Sequence, residues 1–95
     1  HESIFDYIVT LVEATRASEY FSMGASPRGA NALLRMSRAM ALLAGRKYVV
    51  PDDIAAVFTV VLGHRVKLSS RARANGFTVE AALEEVRKSV KLPRT

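Results

Sequence analysis

Apolar residues recur every three or four positions in four stretches of the chain, which is the spacing of an amphipathic helix. The stretches cover residues 3–17, 27–44, 51–62 and 79–90. The predicted inward faces are Ile4, Phe5, Ile8, Leu11 and Val12; Ala30, Leu33, Leu34, Met36, Met40, Ala41 and Ala44; Ile54, Val57, Phe58, Val61 and Leu62; and Val79, Ala82, Leu83, Val86 and Val90. The pattern predicts a small all-α bundle of four to five helices.

Residues with known preferences for helix ends flank the second and third stretches. Ser26 can cap the second helix with its hydroxyl, and Pro27 suits the first helical position, where no N–H is needed. Gly45 can end the same helix in the left-handed conformation. Asp52 and Asp53 lie in the predicted first turn of the third helix, where the helix dipole favours negative charge.

The connections between these helices carry weaker signals. A short extended piece is expected around 20–23, and the β-branched and aromatic residues 47–50 predict a minor short strand. Residues 64–68 are expected to add one more short helix after Gly63. The polar, basic stretch 69–76 predicts a loop, after which Thr78 is placed to cap the last helix.

Composition and charge restrict the function classes. The chain has 95 residues, 49% of them hydrophobic, which is enough for one small domain spanning 1–95. It has no Cys and two His, so the sequence predicts no disulfide, no thiolate nucleophile and no metal site. No apolar run approaches the ~18 residues of a membrane span. Since the chain lacks an initial Met and opens almost directly in a helical pattern, we expect it to be part of a longer protein.

Two glycines have the separation found in a phosphate-binding loop. Gly24 and Gly29 are followed by Ala30 and Asn31, where such a loop needs Lys and then Ser or Thr. The Lys would supply charge to the phosphates and the hydroxyl would bind magnesium. The sequence therefore predicts no nucleotide-binding loop within these residues.

Arg28 breaks a local rule of helix chemistry. It falls in the first turn of the second helix, where a cation costs ~0.3–1 kcal/mol because of the helix dipole. Such violations often mark functional residues. The N–H groups at a helix start also attract phosphate oxygens, and an Arg beside them adds a bidentate donor. The alternative is a solvated surface side chain, or one paired with a carboxylate such as Glu19.

Further basic residues extend this pattern along the second helix. Arg28, Asn31, Arg35 and Arg38 follow a 3-4-3 spacing and should line one side of the helix. This stripe could meet phosphate, a nucleic acid or an acidic protein surface, or it could be an ordinary solvated face. His64 and Arg65 follow the third helix, where a basic pair suits the helix dipole. Since His64 has no Ser or carboxylate partner in sequence, no catalytic role is expected for it.

Four segments together carry a family resemblance. Residues 24–54 are GASPRGANALLRMSRAMALLAGRKYVVPDDI, and residues 61–66 are VLGHRV. DYIVTLVEATR occupies 6–16, and GFTVEAALEEVRKSVKLP occupies 76–93. Each segment alone is weak, but at these spacings the chain resembles the C-terminal lid of MoxR-type AAA+ ATPases from about Ile4 to Pro93.

The resemblance implies a function that depends on ATP. In this family a helical lid follows an α/β nucleotide-binding core module, and ATP with Mg2+ lies between the two in a ring of subunits, expected to be a hexamer. The Arg of the Ser-Pro-Arg segment is the family's second sensor, which reaches the γ-phosphate. By this match the catalytic residue is Arg28, and Ser26, Pro27 and Arg28 are the cofactor-binding residues.

The family also implies partners and a cellular role. Its members are cytoplasmic, chaperone-like ATPases that assist assembly or metal insertion, often with a protein that carries a von Willebrand factor A domain. The expected partners of this chain are its own core module, neighbouring subunits of the ring and such a protein, with no nucleic acid and no membrane.

This chain departs from the pattern of MoxR-type ATPases in two respects. Such lids often have Val-Thr-Pro before the third helix, whereas this chain has Val49, Val50 and Pro51, so a hydroxyl cap is lost. We expect Asp52 and Asp53 to compensate in part. The chain also lacks the phosphate-binding loop, the magnesium-binding acidic strand and a recognisable arginine finger. We therefore expect no ATP hydrolysis from it alone, and no bound nucleotide.

Two other functions fit some of the same residues. A sequence pI near 10.1 is typical of a stand-alone nucleic-acid-binding helical domain. However, the basic residues are spread over several segments, and no helix shows base-reading residues. Duplex binding with a steep salt dependence would favour this alternative. The other is a protein-interaction module without a nucleotide role, in which Arg28 would be dispensable.

Overall fold

The computed structural model describes residues 2–93, and within them the chain forms five helices and two short strands. Residues 1, 94 and 95 of the predicted domain lie outside the described residues. In chain order the elements are α1 (Glu2–Ala17), β1 (Phe21–Met23), α2 (Pro27–Leu43), α3 (Pro51–Leu62), β2 (Lys67–Leu68), α4 (Ser70–Ala74) and α5 (Val79–Ser89). The predicted all-α bundle with a minor strand element is confirmed. Over the same residues, no helix is both long and apolar enough to cross a membrane.

The hydrophobic core lies between α1, α2, α3 and α5, and the most extensive helix contact joins α2 to α3. Its fully buried large side chains are Ile8, Leu11, Leu33, Ile54, Phe58, Leu62 and Leu83. All of them belong to the predicted inward faces. Phe5 and Met36 were predicted to face inward but are 44% and 43% exposed, because each lies at the edge of its apolar face. Ala44, which follows α2, is exposed as well.

The two strands form a small antiparallel sheet, which we call the strand clip. Phe21 lies opposite Leu68, and Met23 lies opposite Lys67. The extended piece expected around 20–23 is confirmed as β1. The strand predicted at 47–50 is wrong, because those residues find no partner strand and form a bend between α2 and α3. The helix expected at 64–68 is also wrong, since this segment turns after α3 and then enters β2.

The loop predicted at 69–76 is instead largely the helix α4. The Ser69 hydroxyl accepts a hydrogen bond from the Ala72 N–H at 3.1 Å, which caps the first turn. At the other end Gly76 has φ of +84°, and the Phe77 N–H donates to the Ala72 carbonyl at 3.0 Å. This is a Schellman ending, so both ends of a five-residue helix are satisfied.

The predicted left-handed end of α2 is confirmed. Gly45 has φ of +79°, a conformation that costs glycine little. Its N–H donates to the Leu42 carbonyl, and the Arg46 N–H donates to the Ala41 carbonyl, each at 2.9 Å. These two bonds are the Schellman pattern, and they turn the chain toward α3.

An ion pair between Arg46 and Asp53 closes the connection from α2 to α3. Asp53 is 5% exposed, and its two carboxylate oxygens accept from Nη1 and Nη2 of Arg46 at 2.6 and 2.7 Å. The Val50 N–H donates to the same carboxylate at 2.8 Å, which is one half of a capping box. The expected compensation for the missing hydroxyl cap at Val50 is therefore made by Asp53.

We call this ion pair the Arg46–Asp53 clasp. It predicts an acid-sensitive contribution to stability. The hydrogen bonds from Arg46 lower the pKa of Asp53, with a further lowering from the Val50 N–H against the opposing effect of burial. Because the pKa is lower in the folded state, the stabilisation is present above the unfolded value of about 4 and is lost as the pH falls through the folded value. Asp53→Asn should lower the free energy of unfolding at pH 7 and flatten its decline below about pH 4. Urea unfolding across pH checks this, with the exposed Asp52→Asn as control; parallel pH curves for Asp53→Asn and the native chain would contradict it.

Two buried hydroxyls give a paired prediction. Thr15 donates to the Val12 carbonyl at 2.6 Å and accepts from the Ala25 N–H at 3.0 Å, whereas the Ser37 hydroxyl has no hydrogen-bond partner among residues 2–93. Since an unsatisfied buried polar group costs about 1–3 kcal/mol, Ser37→Ala should raise the free energy of unfolding by about 1 kcal/mol. Thr15→Val should lower it by about 1–3 kcal/mol, because the Ala25 N–H loses its acceptor. Denaturant midpoints measure both, and equal shifts in one direction would show that hydrogen bonding does not separate the two positions.

Candidate functional site

The segment from Gly24 to Arg28 leads from β1 into α2 and lies directly against α1. A Cβ atom built on Gly24 would lie 2.6 Å from the backbone nitrogen of Arg16. A backbone atom cannot move aside as a side chain can, so only glycine fits here. The position at which the chain enters α2 is therefore set by contact with the last turn of α1.

Thr15 fixes the next residue of this segment. Its buried hydroxyl accepts a hydrogen bond from the Ala25 N–H, and Ala25 is itself fully buried. Gly24 thus has a packing role. Gly29 is buried where α2 meets the end of α3, and a Cβ there would lie 3.2 Å from Cδ2 of Leu62.

The predicted start of α2 is confirmed in position and corrected in chemistry. Pro27 is the first residue of the helix and Ser26 is its N-cap. However, the expected cap by the Ser26 hydroxyl is wrong, because that side chain makes no capping hydrogen bond. The Gly29 N–H, which the hydroxyl would otherwise reach, donates instead to the Ser26 carbonyl at 2.8 Å. The N–H of Arg28 has no acceptor among residues 2–93.

The Arg28 side chain is exposed and has no ion pair within residues 2–93. The alternative of a pair with Glu19 is therefore not seen. Arg46 and Arg87 are paired with Asp53 and Glu84, respectively, in the same part of the chain. Arg28 thus keeps its full set of guanidinium donors available for an external anion.

Arg28 lies at one end of an open surface groove, which we call the arginine groove. It is lined by Arg28, Asn31, Leu34, Arg35, Arg38 and Arg65. The predicted polar stripe on α2 is confirmed as one wall of this groove. No carboxylate lines it, and each guanidinium offers planar donors that match phosphate or carboxylate oxygens. The groove is therefore suited to an anion.

Arg65 is absent from the predicted stripe and enters the groove from the turn after α3. A Cβ atom on Gly29 would lie 3.7 Å from Cδ of Arg65, so the stem of Arg65 passes beside the first turn of α2. The Leu-Gly-His-Arg segment was a signal for this residue, but its place beside Arg28 depends on tertiary packing. His64 is exposed, and Arg71 and Arg73 are exposed on α4 without lining the groove.

Metal ligands were not predicted from the sequence. Over the described range 2–93, His, Asp and Glu side chains form no group of three that could bind a metal ion.

Comparison with known proteins identifies the family. The family model described as AAA lid domain matches residues 13–86. The uncharacterized protein YeaC of Bacillus subtilis is 41% identical over 92 residues, which cover 97% of this chain and 29% of YeaC. Chaperone MoxR1 of Mycobacterium tuberculosis is 36% identical over 103 aligned residues, covering 99% of this chain and 27% of MoxR1.

A solved structure agrees with these matches. The crystal structure of a protein from Cytophaga hutchinsonii proposed to be an ATPase superposes with a TM-score of 0.88 at 35% identity. The superposition covers 99% of this chain and 31% of that protein. The chain thus spans less than a third of the length of the relatives that it matches.

The corrected role of Ser26 leads to a prediction about capping. Since its hydroxyl makes no capping bond, Ser26→Ala should change the free energy of unfolding by less than about 0.5 kcal/mol. Thr78→Ala should lower it by about 1 kcal/mol, because the Thr78 hydroxyl accepts from the Ala81 N–H at 3.0 Å and caps α5. Thermal or urea unfolding of the two variants provides the comparison. A loss at Ser26 equal to that at Thr78 would show that the serine hydroxyl caps α2 in solution.

Proposed function

This chain belongs to the AAA lid domain family and is a lid of the MoxR type, and on that premise we propose that it closes over ATP bound by the core module of a longer ATPase. The relatives are more than three times as long as the matched region, which leaves room for such a module. The lid would supply Arg28 to the γ-phosphate as a second sensor.

The observation that carries this proposal is the unpaired Arg28 at the start of α2. Its guanidinium, exposed and without a carboxylate partner among residues 2–93, adjoins the N–H of Arg28, which has no acceptor there. Phosphate oxygens are suited to both donors, and the positive end of the helix dipole favours them further. A groove with four arginines and no carboxylate fits the charge of a triphosphate.

The neighbours of Arg28 would contribute to the same site. Pro27 fixes the helix start without occupying a donor. Because the Ser26 hydroxyl is not engaged in capping, it would be available for a hydrogen bond to the nucleotide. Gly24 and Thr15 would position all three by fixing the segment against α1.

In the whole protein ATP with Mg2+ would supply the phosphoryl group and its hydrolysis free energy. A cation placed on the γ-phosphate stabilises the charge that shifts during phosphoryl transfer. After hydrolysis that contact would be lost, and the lid would rotate relative to the core. We further propose that this rotation acts within a hexameric ring of subunits.

The names of the relatives support a proposal about the cellular role. MoxR1 is named a chaperone, and we propose the same kind of activity here, in remodelling, assembly or metal insertion of other proteins. The proposed partner is a protein with a von Willebrand factor A domain. Because the reaction consumes ATP, we place the protein in the cytoplasm.

Arg28→Ala in the full-length ATPase tests the sensor role. Turnover should fall about tenfold or more, the scale of other charged transition-state contacts. Arg28→Lys should restore only part of it, because Lys lacks the planar fork. In the 95-residue chain the same change should leave the free energy of unfolding unchanged or slightly higher, since an unfavourable dipole contact disappears.

The matched control is Arg71→Ala, which removes an exposed arginine from α4 outside the groove. It should keep native turnover. A full-length Arg28→Ala protein as active as the control would refute the sensor role. A loss of about 2 kcal/mol in the isolated chain would show that Arg28 is structural instead.

A further inference from the structure

We propose that Arg65 is a second phosphate-binding arginine, which contacts the same terminal phosphate as Arg28. This inference rests on the proposed function and adds a residue to that site. The two arginines are 37 positions apart in sequence, on different elements, yet they line one groove.

The strand clip brings the two arginine-bearing segments together. Its strands are antiparallel, with Met23 opposite Lys67 at one end of the sheet. The chain leaves that end forward from Met23, through Gly24, to the start of α2. Arg65 lies two residues before Lys67, so the chain reaches β2 from the same end of the sheet. Antiparallel pairing therefore places both arginines beyond one end of the sheet, and the clip has a positional role that its small size does not suggest.

The backbone at Arg65 is fixed on both sides. On one side its N–H donates to the carbonyl of Leu62 at 2.9 Å, and Leu62 is fully buried at the end of α3. On the other side Val66 is half-buried and leads into β2. Because this backbone is already ordered, ligand binding would cost only the rotamer freedom of the Arg65 side chain.

Gly29 sets the separation between the two arginines. With no side chain, it lets the first turn of α2 lie against Leu62 and the stem of Arg65. Arg28 directly precedes Gly29 in the helix, so the stem of Arg65 passes beside the residue next to Arg28. Neither has a carboxylate partner among residues 2–93. Two like charges repel each other, and a phosphate between them would remove that cost.

Arg35 and Arg38 line the same groove farther along α2. Arg35 is seven residues beyond Arg28, which corresponds to about 10 Å along the helix axis. Arg35 thus belongs to the groove but does not lie in the first turn of α2. Arg71→Ala is the matched control, because it removes an exposed arginine from α4, outside the groove.

The test uses the full-length ATPase that carries this lid, with variants Arg65→Ala, Arg65→Gln, Arg28→Ala and Arg71→Ala, together with the double variant at positions 28 and 65. Affinity is measured for ADP and for an ATP analogue with an imido β–γ bridge. Arg65→Ala and Arg65→Gln should each weaken binding of the analogue about tenfold, as expected for a lost charge-assisted hydrogen bond. ADP affinity should change by less than about twofold, because ADP lacks the terminal phosphate.

The double variant reports whether the two arginines share one phosphate. Since they would contact the same group, its loss of affinity should differ from the product of the single losses. Arg71→Ala should leave both affinities close to native. The thermal midpoint of each variant is measured in parallel, and Arg65→Gln keeps the first two methylenes of the stem and a carbon at the Cδ position beside Gly29.

Distinct outcomes would overturn this inference and the function on which it rests. If Arg65→Ala and Arg65→Gln behave like Arg71→Ala while Arg28→Ala loses the analogue, Arg65 does not touch the phosphate and the sensor role of Arg28 stands. Equal weakening of ADP and the analogue would also refute the role of Arg65. If Arg28→Ala leaves both affinities native, the proposed function itself fails.

Discussion

The close approach of Gly24 to the last turn of α1 determines where α2 begins, and the position of Arg28 in the arginine groove depends on it. A Cβ atom at this position would meet the backbone of Arg16, and no rotamer change could relieve that overlap. Thr15 adds a buried hydrogen bond to the next residue, so the segment is fixed at two successive positions. Arg28 follows within one turn of α2. Its position thus depends on packing against a helix that contributes no residue to the groove.

The sequence predicts well those features that depend on neighbouring residues. Pro27 and Pro51 mark helix starts and Gly45 marks a helix end, because φ preferences and missing donors act within one turn. The five-residue α4 was missed even though Ser69 and Gly76 cap it, since a stretch this short has too few positions to show a hydrophobic period. The residues from 47 to 50 have strand-like composition but no partner strand. Strand pairing is a long-range property, and composition alone does not supply it.

The residues of the candidate site divide in the same way: some follow from neighbouring residues in the sequence, and others depend on tertiary packing. The basic stripe on α2 follows from helical geometry, so three arginines of the groove could be predicted from their spacing. Arg65 could not, because its place beside Arg28 requires both the strand clip and the missing side chain of Gly29. The Ser26 hydroxyl was expected to cap because serine is common at this position. In this chain a tight first turn uses the Gly29 N–H instead, and local preference did not decide the outcome.

The Arg46–Asp53 clasp has a mechanical consequence. It joins the far end of α2 to the first turn of α3, and these two helices share the most extensive contact in the bundle. They therefore form a stiff lever with Arg28 at one end and the clasp at the other. A helix of 17 residues is about 25 Å long, so a rotation of about 10° around the Arg28 end would move the clasped end by about 4 Å. The exposed side chains at that end, Leu42, Leu43 and Tyr48, would travel with it. A small angular change at the Arg28 end would thereby become a displacement longer than a hydrogen bond on the opposite side of the domain.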